Sequence, residues 1–332
     1  MQVTVVGSGS WGTTVAAIAA RTHPTVLWAR RPELADAINT TGENPDYLPG
    51  HRLPYGLRAT TDLGRSLAGT DLVVMGVPSH GFRQVLAEAA GLIRDDVPIV
   101  SLTKGIEQDT LLRMTQVVVE VLPSHDPDRV GVLTGPNLAR EVALGMPAAA
   151  VVAMHDEEAA GRIQHVFMDP TFRVYTNDDV VGCETAGALK NVMAIAAGMS
   201  KGLGFGHNTL AALITRALAE LTRLGVAMGG QPVTFAGLAG MGDLIATCAS
   251  DESRNNRVGM ELARGGTLEE ITSEMRMVAE GVKSTRAVLD LARSHDVDMP
   301  IATQVGRVLY EGAHPREAVL ALMTRQAKDE RA

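Results

Sequence analysis

The sequence predicts an α/β domain built on a doubly wound parallel sheet, followed by an all-α domain. Three observations carry this. A short β-branched run, Gln2 to Val6, feeds directly into a glycine-rich turn and an alanine-rich helical stretch. Strand-like and helix-like segments then alternate as far as Thr176. After Glu184 no strand pattern recurs. A chain of 332 residues is long enough for two domains, and we divide it at residues 1–180 and 181–332.

The first element is the strand over residues 2–6. It runs into Gly7-Ser8-Gly9-Ser10-Trp11-Gly12, and a helix follows from Thr13 to Arg21. This is the dinucleotide fingerprint in its required strand–turn–helix setting. Gly7 permits the tight turn, Gly9 lets backbone approach a pyrophosphate, and Gly12 lets helix and strand pack closely. A second strand, Thr25 to Trp28, ends in Ala29-Arg30-Arg31. A carboxylate there would hold the ribose 2′-hydroxyl of NAD; two guanidiniums suit a 2′-phosphate instead. The expected cofactor is therefore NADP(H), with NAD(H) as the lesser alternative.

Asp71 to Val77 is a continuous apolar run, as expected of a strand buried on both faces. A helix over His80 to Ile93 and a strand over Val97 to Leu102 follow. That strand delivers Lys104 to the ligand-facing edge of the sheet. A helix is expected over Asp109 to about Leu122 and a strand over Val130 to Leu133. A short helix is expected to begin on Asn137 as its cap. Strands over Pro147 to Met154 and Phe172 to Thr176 flank a helix from Asp156 to Phe167.

In the second half, Glu184 to Gly198 is apolar or small nearly throughout, which predicts a helix buried all round. Lys190 and Asn191 interrupt it. An ammonium does not enter such a helix without a partner or a cleft, and its helical neighbours Ala186, Gly187 and Ala194 are small enough to admit a ligand. A long amphipathic helix spans Asn208 to Leu224 with Asn208 as cap. The glycines from Gly237 to Gly242 lack a P-loop ending and predict close helix packing. The polar cluster Asp251 to Arg257 is either a solvated loop or a phosphate clamp. A last helix is expected from Ser284 to Ser294.

Composition excludes several classes. The net charge is −8 with no basic stripe, which argues against nucleic-acid binding. Aromatic content is only 3%, so the cores are built from aliphatic residues and 15 methionines. Two cysteines and nine scattered histidines show no metal or redox spacing, so no metal is expected. No basic leader precedes the first strand, and no run approaches the ~18 apolar residues of a membrane span. A cytoplasmic enzyme without a membrane span is the expectation.

Together the motifs resemble the bacterial NAD(P)-dependent glycerol-3-phosphate dehydrogenase family over essentially the whole chain. The matching stretches are Gly7 to Thr13, Asn44 to Gly50, Ser101 to Glu107, Gly135 to Val142, Ala188 to Gly198, Gly237 to Leu244, Ser253 to Gly259 and Val278 to Val282. The resemblance implies a Rossmann-like first domain and a helical second domain like the C-terminal domain of 6-phosphogluconate dehydrogenase. It implies reversible reduction of dihydroxyacetone phosphate to sn-glycerol 3-phosphate, supply of glycerophospholipid synthesis, and a homodimer. Lys190 matches the catalytic lysine. Lys104, Gly135, Asn137, Asn191 and Asp243 match the substrate site, and Ser253, Arg254 and Asn255 the substrate-phosphate clamp. Ser10, Trp11, Arg30, Arg31, Lys104, Ala139, Arg254, Val278 and Glu280 match cofactor contacts, with Tyr47 at their border. Asn137 replaces a Ser or Thr, although an amide also donates to a substrate oxygen. His207 and Leu210 stand where acidic and basic residues are common. The alternatives are a related two-domain hydroxyacid dehydrogenase and a non-catalytic NADP(H)-sensing regulator.

Overall fold

The computed structural model describes residues 1–275, 279–327 and 329. The first half runs β1 (Val3–Val6), α1 (Ser10–Ala19), β2 (Thr25–Trp28), α2 (Pro32–Thr41), a hairpin of β3 (Glu43–Asn44) and β4 (Leu48–Arg52), β5 (Leu57–Thr60) and α3 (Leu63–Leu67). It continues through β6 (Leu72–Met75), α4 (Ser79–Ala89), β7 (Ile99–Ser101), α5 (Met114–Val121), β8 (Val130–Thr134), α6 (Ala139–Ala143), β9 (Ala148–Ala153), α7 (Glu157–Phe167) and β10 (Phe172–Asn177). Eight strands form one sheet in the order β10-β9-β8-β7-β6-β1-β2-β5. Side chains alternate between its faces: Val3, Val5, Leu72 and Val74 enter one core, and Val6, Val73 and Met75 the other. The chain reverses direction of growth at β1, which lies between β2 and β6. The carboxyl ends of β1 and β6 therefore flank the crevice where such sheets bind ligands.

Most neighbours are parallel, but β8 and β9 pair antiparallel. A parallel crossover carries a full helix over the face of the sheet, whereas the connection here holds only the five-residue α6.

The second half is helical: α8 (Val180–Gly202), α9 (His207–Ala227), α10 (Pro232–Phe235), a π turn (Leu238–Gly242), α11 (Asp243–Ala249), α12 (Arg254–Ala263), α13 (Leu268–Glu274), α14 (Glu280–Ser294), α15 (Pro300–Glu311) and α16 (Pro315–Met323). Every residue of α8 from Gly182 to Ile195 is buried, so this helix is the axis of the second core. It is long and apolar enough to cross a bilayer, which counting apolar residues did not reveal, but 89% of that window is buried inside the protein. Close approach explains its glycine. A Cβ on Gly198 would lie 1.9 Å from the carbonyl oxygen of Asn256 in α12, and one on Gly259 would lie 2.0 Å from that of Ile195.

Several expected boundaries move. The helix expected from Asp109 begins only at Met114. Residues 107–112 instead close a tight turn, with Leu111 donating to the Glu107 carbonyl and Glu107 N–H to the Leu112 carbonyl, and with Leu111 at φ 60°. Asn137 does not cap α6; Leu138 does, because the Asn137 amide, oriented as its neighbours require, donates to the carbonyls of Pro136 and Ala149. Asn208 is the second residue of α9, whose cap is Gly206. The polar cluster after Asp251 is no loop throughout: Ser253 caps α12 by accepting from the Asn256 N–H.

Candidate functional site

The glycine-rich turn has the shape its motif requires. Gly7 adopts φ 119°, and a Cβ there would lie 2.6 Å from the carbonyl oxygen of Gly76 at the end of β6. A Cβ on Gly12 would lie 2.1 Å from the Gly7 carbonyl oxygen. Gly9 differs: its Cβ would meet no atom within 4 Å. Space is thus kept open at the N-terminus of α1, where Gly9 supplies no side-chain cap. First-turn N–H groups facing such a space favour an anion, so the residues fit a dinucleotide pyrophosphate. The β3–β4 hairpin is tied down over this turn. Ser10 donates to the Tyr47 carbonyl (2.7 Å), and Asn44 donates to the Ser8 carbonyl (2.9 Å) and to Thr13 Oγ1 (2.8 Å). Ala139 joins from α6, its carbonyl accepting from Thr14 (3.2 Å).

Across β6 from the turn, at the same edge of the sheet, lies a cluster of charge; Gly7 meets Gly76, and Thr103, next to Lys104, donates to the Val77 carbonyl (2.6 Å). Lys190 Nζ donates to Asp243 Oδ1 (2.6 Å) and to Thr247 Oγ1 (2.5 Å). Lys104 Nζ donates to the other carboxylate oxygen, Oδ2 (2.6 Å), and to the Gly135 carbonyl (2.9 Å). One buried carboxylate thus bridges two ammoniums, with side-chain exposures of 8% for Lys190, 2% for Asp243 and 17% for Lys104. Burial, opposed by Asp243 and helped by Lys190, brings the Lys104 amine down to about 8. The π turn is what presents Asp243. It places this residue first in α11, and a Cβ on Gly240 would lie 2.1 Å from the Phe235 carbonyl oxygen.

The small neighbours of Lys190 do not leave room for a ligand as the sequence suggested. Ala186 and Ala194 are fully buried in the helical core. Gly187 faces the end of β8 and the Lys104 stem: a Cβ there would lie 3.1 Å from Thr134 Oγ1 and 3.5 Å from Lys104 Cγ. Asn191 faces the same way, donating to the Lys104 carbonyl (2.8 Å) and accepting from Asn255 (3.0 Å). Asn255 Oδ1 in turn accepts from the Gly281 N–H (3.0 Å). Asn255 is therefore a buried tie between α8, α12 and α14. Arg254 stands exposed at the first position of α12, beside the cap residue Ser253.

Glu280 crosses to the sheet half. It accepts from Ser79 Oγ (2.7 Å) and Ser79 N–H (3.3 Å) at the start of α4. A Cβ on Gly105 would lie 2.8 Å from that of Ser79 and 3.2 Å from Glu280 Oε2. The Lys104 segment, the β6–α4 turn and α14 thus meet at one place. At the far end of β2, Arg30 and Arg31 are both exposed. Arg31 pairs with Asp46 and lies over the Tyr47 ring, 5.8 Å from its centroid. Asn137 presents its oxygen rather than the donor expected of it, since its nitrogen is held by backbone carbonyls. Val278 lies outside the described residues.

Sequence reasoning missed Thr247 and Ser79. Thr247 had a signal, an i,i+4 spacing from Asp243 that puts both on one helical face. Ser79 had none, because its partner is 201 residues away. Cys183 and Cys248 take no part in the cluster; burial pushes both thiols up to about 12.

Residues 2–160 match the family described as NAD-dependent glycerol-3-phosphate dehydrogenase N-terminus, and residues 179–320 its C-terminus. Glycerol-3-phosphate dehydrogenase [NAD(P)+] 2 of Sphingopyxis alaskensis is 55% identical over 92% of this chain and 91% of its own. Glycerol-3-phosphate dehydrogenase [NAD(P)+] of Thermobifida fusca is 52% identical over 99% of this chain and 98% of its own. A crystal structure of glycerol-3-phosphate dehydrogenase from Coxiella burnetii superposes with a TM-score of 0.93 at 37% identity, covering 98% of this chain and 99% of that one. Two halves matched in order, and relatives matched almost end to end, lead to one conclusion: the chain belongs to the NAD-dependent glycerol-3-phosphate dehydrogenase family.

Proposed function

We propose that this protein reduces dihydroxyacetone phosphate to sn-glycerol 3-phosphate, reversibly and with NADPH preferred to NADH. The observation that carries the reading is the buried Lys190–Asp243–Lys104 cluster, whose Lys104 follows β7 at the same carboxyl edge of the sheet as the glycine-rich turn after β1. Glycerol-3-phosphate dehydrogenase is what the relatives of Sphingopyxis and Thermobifida are named. We take residues 1–180 as the dinucleotide-binding domain and 181–332 as the substrate domain, and we place the enzyme in the cytoplasm as a homodimer whose product feeds glycerophospholipid synthesis.

When bound, the nicotinamide supplies the hydride that reduces the ketone carbon. The chain's own residues do the rest. Negative charge develops on the carbonyl oxygen, and Lys190 Nζ gives it a proton; in the reverse direction the same amine takes the proton back. Lys190 has a second task, since an ammonium stabilises the oxygen before the proton moves. Asp243 orients both amines, and Thr247 fixes Lys190 from the other side. Lys104 is assigned to both substrate and cofactor. The substrate phosphate is assigned to Arg254 and the N-terminus of α12, with Ser253 and Asn255 holding that turn in shape. Holding the phosphate fixes the carbonyl against the amine and turns a collision into an oriented step. Arg30 is assigned to the cofactor's 2′-phosphate, with Arg31 divided between that group and Asp46. Ser10, Trp11, Ala139 and Glu280 border the cofactor.

The test is the loss of the reduced nicotinamide's near-ultraviolet absorbance with dihydroxyacetone phosphate and either NADPH or NADH. The reading expects rapid oxidation with the phosphorylated ketone and little with 2- or 3-keto acids. Preference for a keto acid would point to a hydroxyacid dehydrogenase. Cofactor binding with no turnover on any ketone would point to a sensor.

A further inference from the structure

Lys104 lies at the start of a ten-residue strap that ends at Arg113, and both ends of the strap are tied to α8. At the near end, Asn191 donates to the Lys104 carbonyl (2.8 Å). At the far end, Glu184 accepts three hydrogen bonds from the N-terminus of α5. These come from Arg113 Nη1 (2.7 Å), the Thr115 N–H (2.9 Å) and Thr115 Oγ1 (2.6 Å). Arg113 Nη1 also donates to Thr115 Oγ1 (2.9 Å), which closes the triad. The Glu184 side chain is only 1% exposed. Glu184, Gly187 and Asn191 are spaced i, i+3, i+7 and so share one face of α8, and the Lys104 stem packs on that face at Gly187, 3.5 Å from a Cβ built there.

Between its ends the strap is held in a shape it would not keep alone. Leu111 stands at φ 60°, a left-handed conformation that a leucine adopts only when its surroundings enforce it. Ile106 and Leu111 pack into the helical core although they belong to the sheet half. Glu107 anchors the turn laterally, accepting from Arg83 Nε (2.9 Å) and Nη2 (2.8 Å).

We propose that Glu184 is a positioning residue: by clamping the far end of the 104–113 strap to the helix that carries Lys190, it sets where the Lys104 amine stands relative to Asp243 and Lys190. A carboxylate two helical turns from Lys190 thus fixes the second lysine of the site without touching it. This rests on the proposed function only for its kinetic arm.

The experiment compares wild type with Glu184→Gln and, as a milder variant that keeps the buried ion pair, Thr115→Val. The first readout does not need activity. Trace acetylation with acetic anhydride across pH 6–11, read by mass spectrometry, gives the titration midpoint of Lys104, with Lys201 as internal reference. Loosening the strap both hydrates the amine and weakens its hold on Asp243; burial is the larger of the two influences, so its relief governs and the midpoint moves up from about 8 toward that of an ordinary lysine. We expect a rise of at least one pH unit in Glu184→Gln and a smaller rise in Thr115→Val. The second readout is kinetic. The alkaline limb of kcat/KM for dihydroxyacetone phosphate should move up with the midpoint, and kcat/KM should fall about tenfold with the cofactor KM unchanged. Should Glu184→Gln fail to fold, Thr115→Val decides alone. Variants that melt earlier but keep the wild-type Lys104 midpoint overturn the proposal, because a purely structural clamp does that. Wild-type protein without ketone reduction would sink the function while the acetylation arm still tests the clamp.

Discussion

Replacing Asp243 by asparagine tests the charge arrangement most directly. The amide is nearly isosteric, so the cavity is kept and one negative charge is lost. That charge now holds two ammoniums at 2.6 Å each, with its side chain 2% exposed. At an effective dielectric near 20, two unit charges ~4 Å apart attract by about 4 kcal/mol. After the remaining groups relax, breaking a buried pair costs about 3–5 kcal/mol. One pKa unit is worth about 1.4 kcal/mol, so a loss of that size lowers the proton affinity of a neighbouring amine by roughly 2–4 units. The direction is fixed: a carboxylate favours the charged lysine, and its removal favours the neutral one. Lys104 already sits at about 8, so in Asp243→Asn it is neutral at pH 7. The assay is the pH profile of kcat/KM for ketone reduction, beside calorimetric melting. We expect turnover at pH 7 to fall at least ~100-fold and the alkaline limb to move to lower pH. If Asp243→Asn kept kcat within threefold of wild type with the alkaline limb in place, the two-lysine cluster would not be what the reaction uses.

Three further outcomes follow from the same structure. Lys190→Ala should cut kcat by ~100- to 10,000-fold, the range for a lost proton donor, while NADPH titrated by fluorescence still binds. Arg254→Ala should raise KM for dihydroxyacetone phosphate by about 10- to 100-fold, since a charge-assisted hydrogen bond is worth ~1.5–3 kcal/mol, and should leave kcat less affected. Glu220 is buried on α9, where it accepts from the N–H groups of Ile301 (2.8 Å) and Ala302 (3.3 Å) at the start of α15. Burial raises its carboxyl to about 7, against the partial opposition of those N–H groups and Arg223. A carboxyl whose pKa is raised on folding binds more protons in the native state, so its contribution is complete below about 4.5 and is lost as pH rises through about 7. The loss is on the order of 3 kcal/mol, and urea titrations at pH 5 and pH 8 should show it in wild type and not in Glu220→Gln.

What the sequence made legible, and what it did not, divides by the range of the interaction involved. The glycine-rich turn, the apolar strands and the lysine in α8 are each decided within a few residues, and each is where local pattern placed it. Residues whose polar atoms are claimed by distant backbone escaped. Asn137 and Asn208 both suit a helix cap by propensity, yet the first is held by the Ala149 carbonyl from the neighbouring strand and the second lies one residue inside its helix. The segment 109–112 has helical spacing, but Leu111 packs against the helical core instead of continuing α5, and it stands there in the left-handed conformation.

The small residues of α8 make the same point for the site itself. Their sizes showed that something approaches the helix closely; only packing shows what. At Gly198 it is the backbone of α12, at Gly187 the Thr134 hydroxyl at the end of β8, and at Ala186 and Ala194 the helical core. The close α8–α12 crossing is therefore not incidental to the chemistry. It brings Ser253, Arg254 and Asn255 to the helix that carries Lys190, and Asn191 and Asn255 lock the two together. A Cβ on Gly198 would have to displace Asn256 by more than an ångström. Such a substitution should harm phosphate binding and thermal stability together, whereas an alanine at Gly187 crowds only the Thr134 hydroxyl, at 3.1 Å, and should be milder.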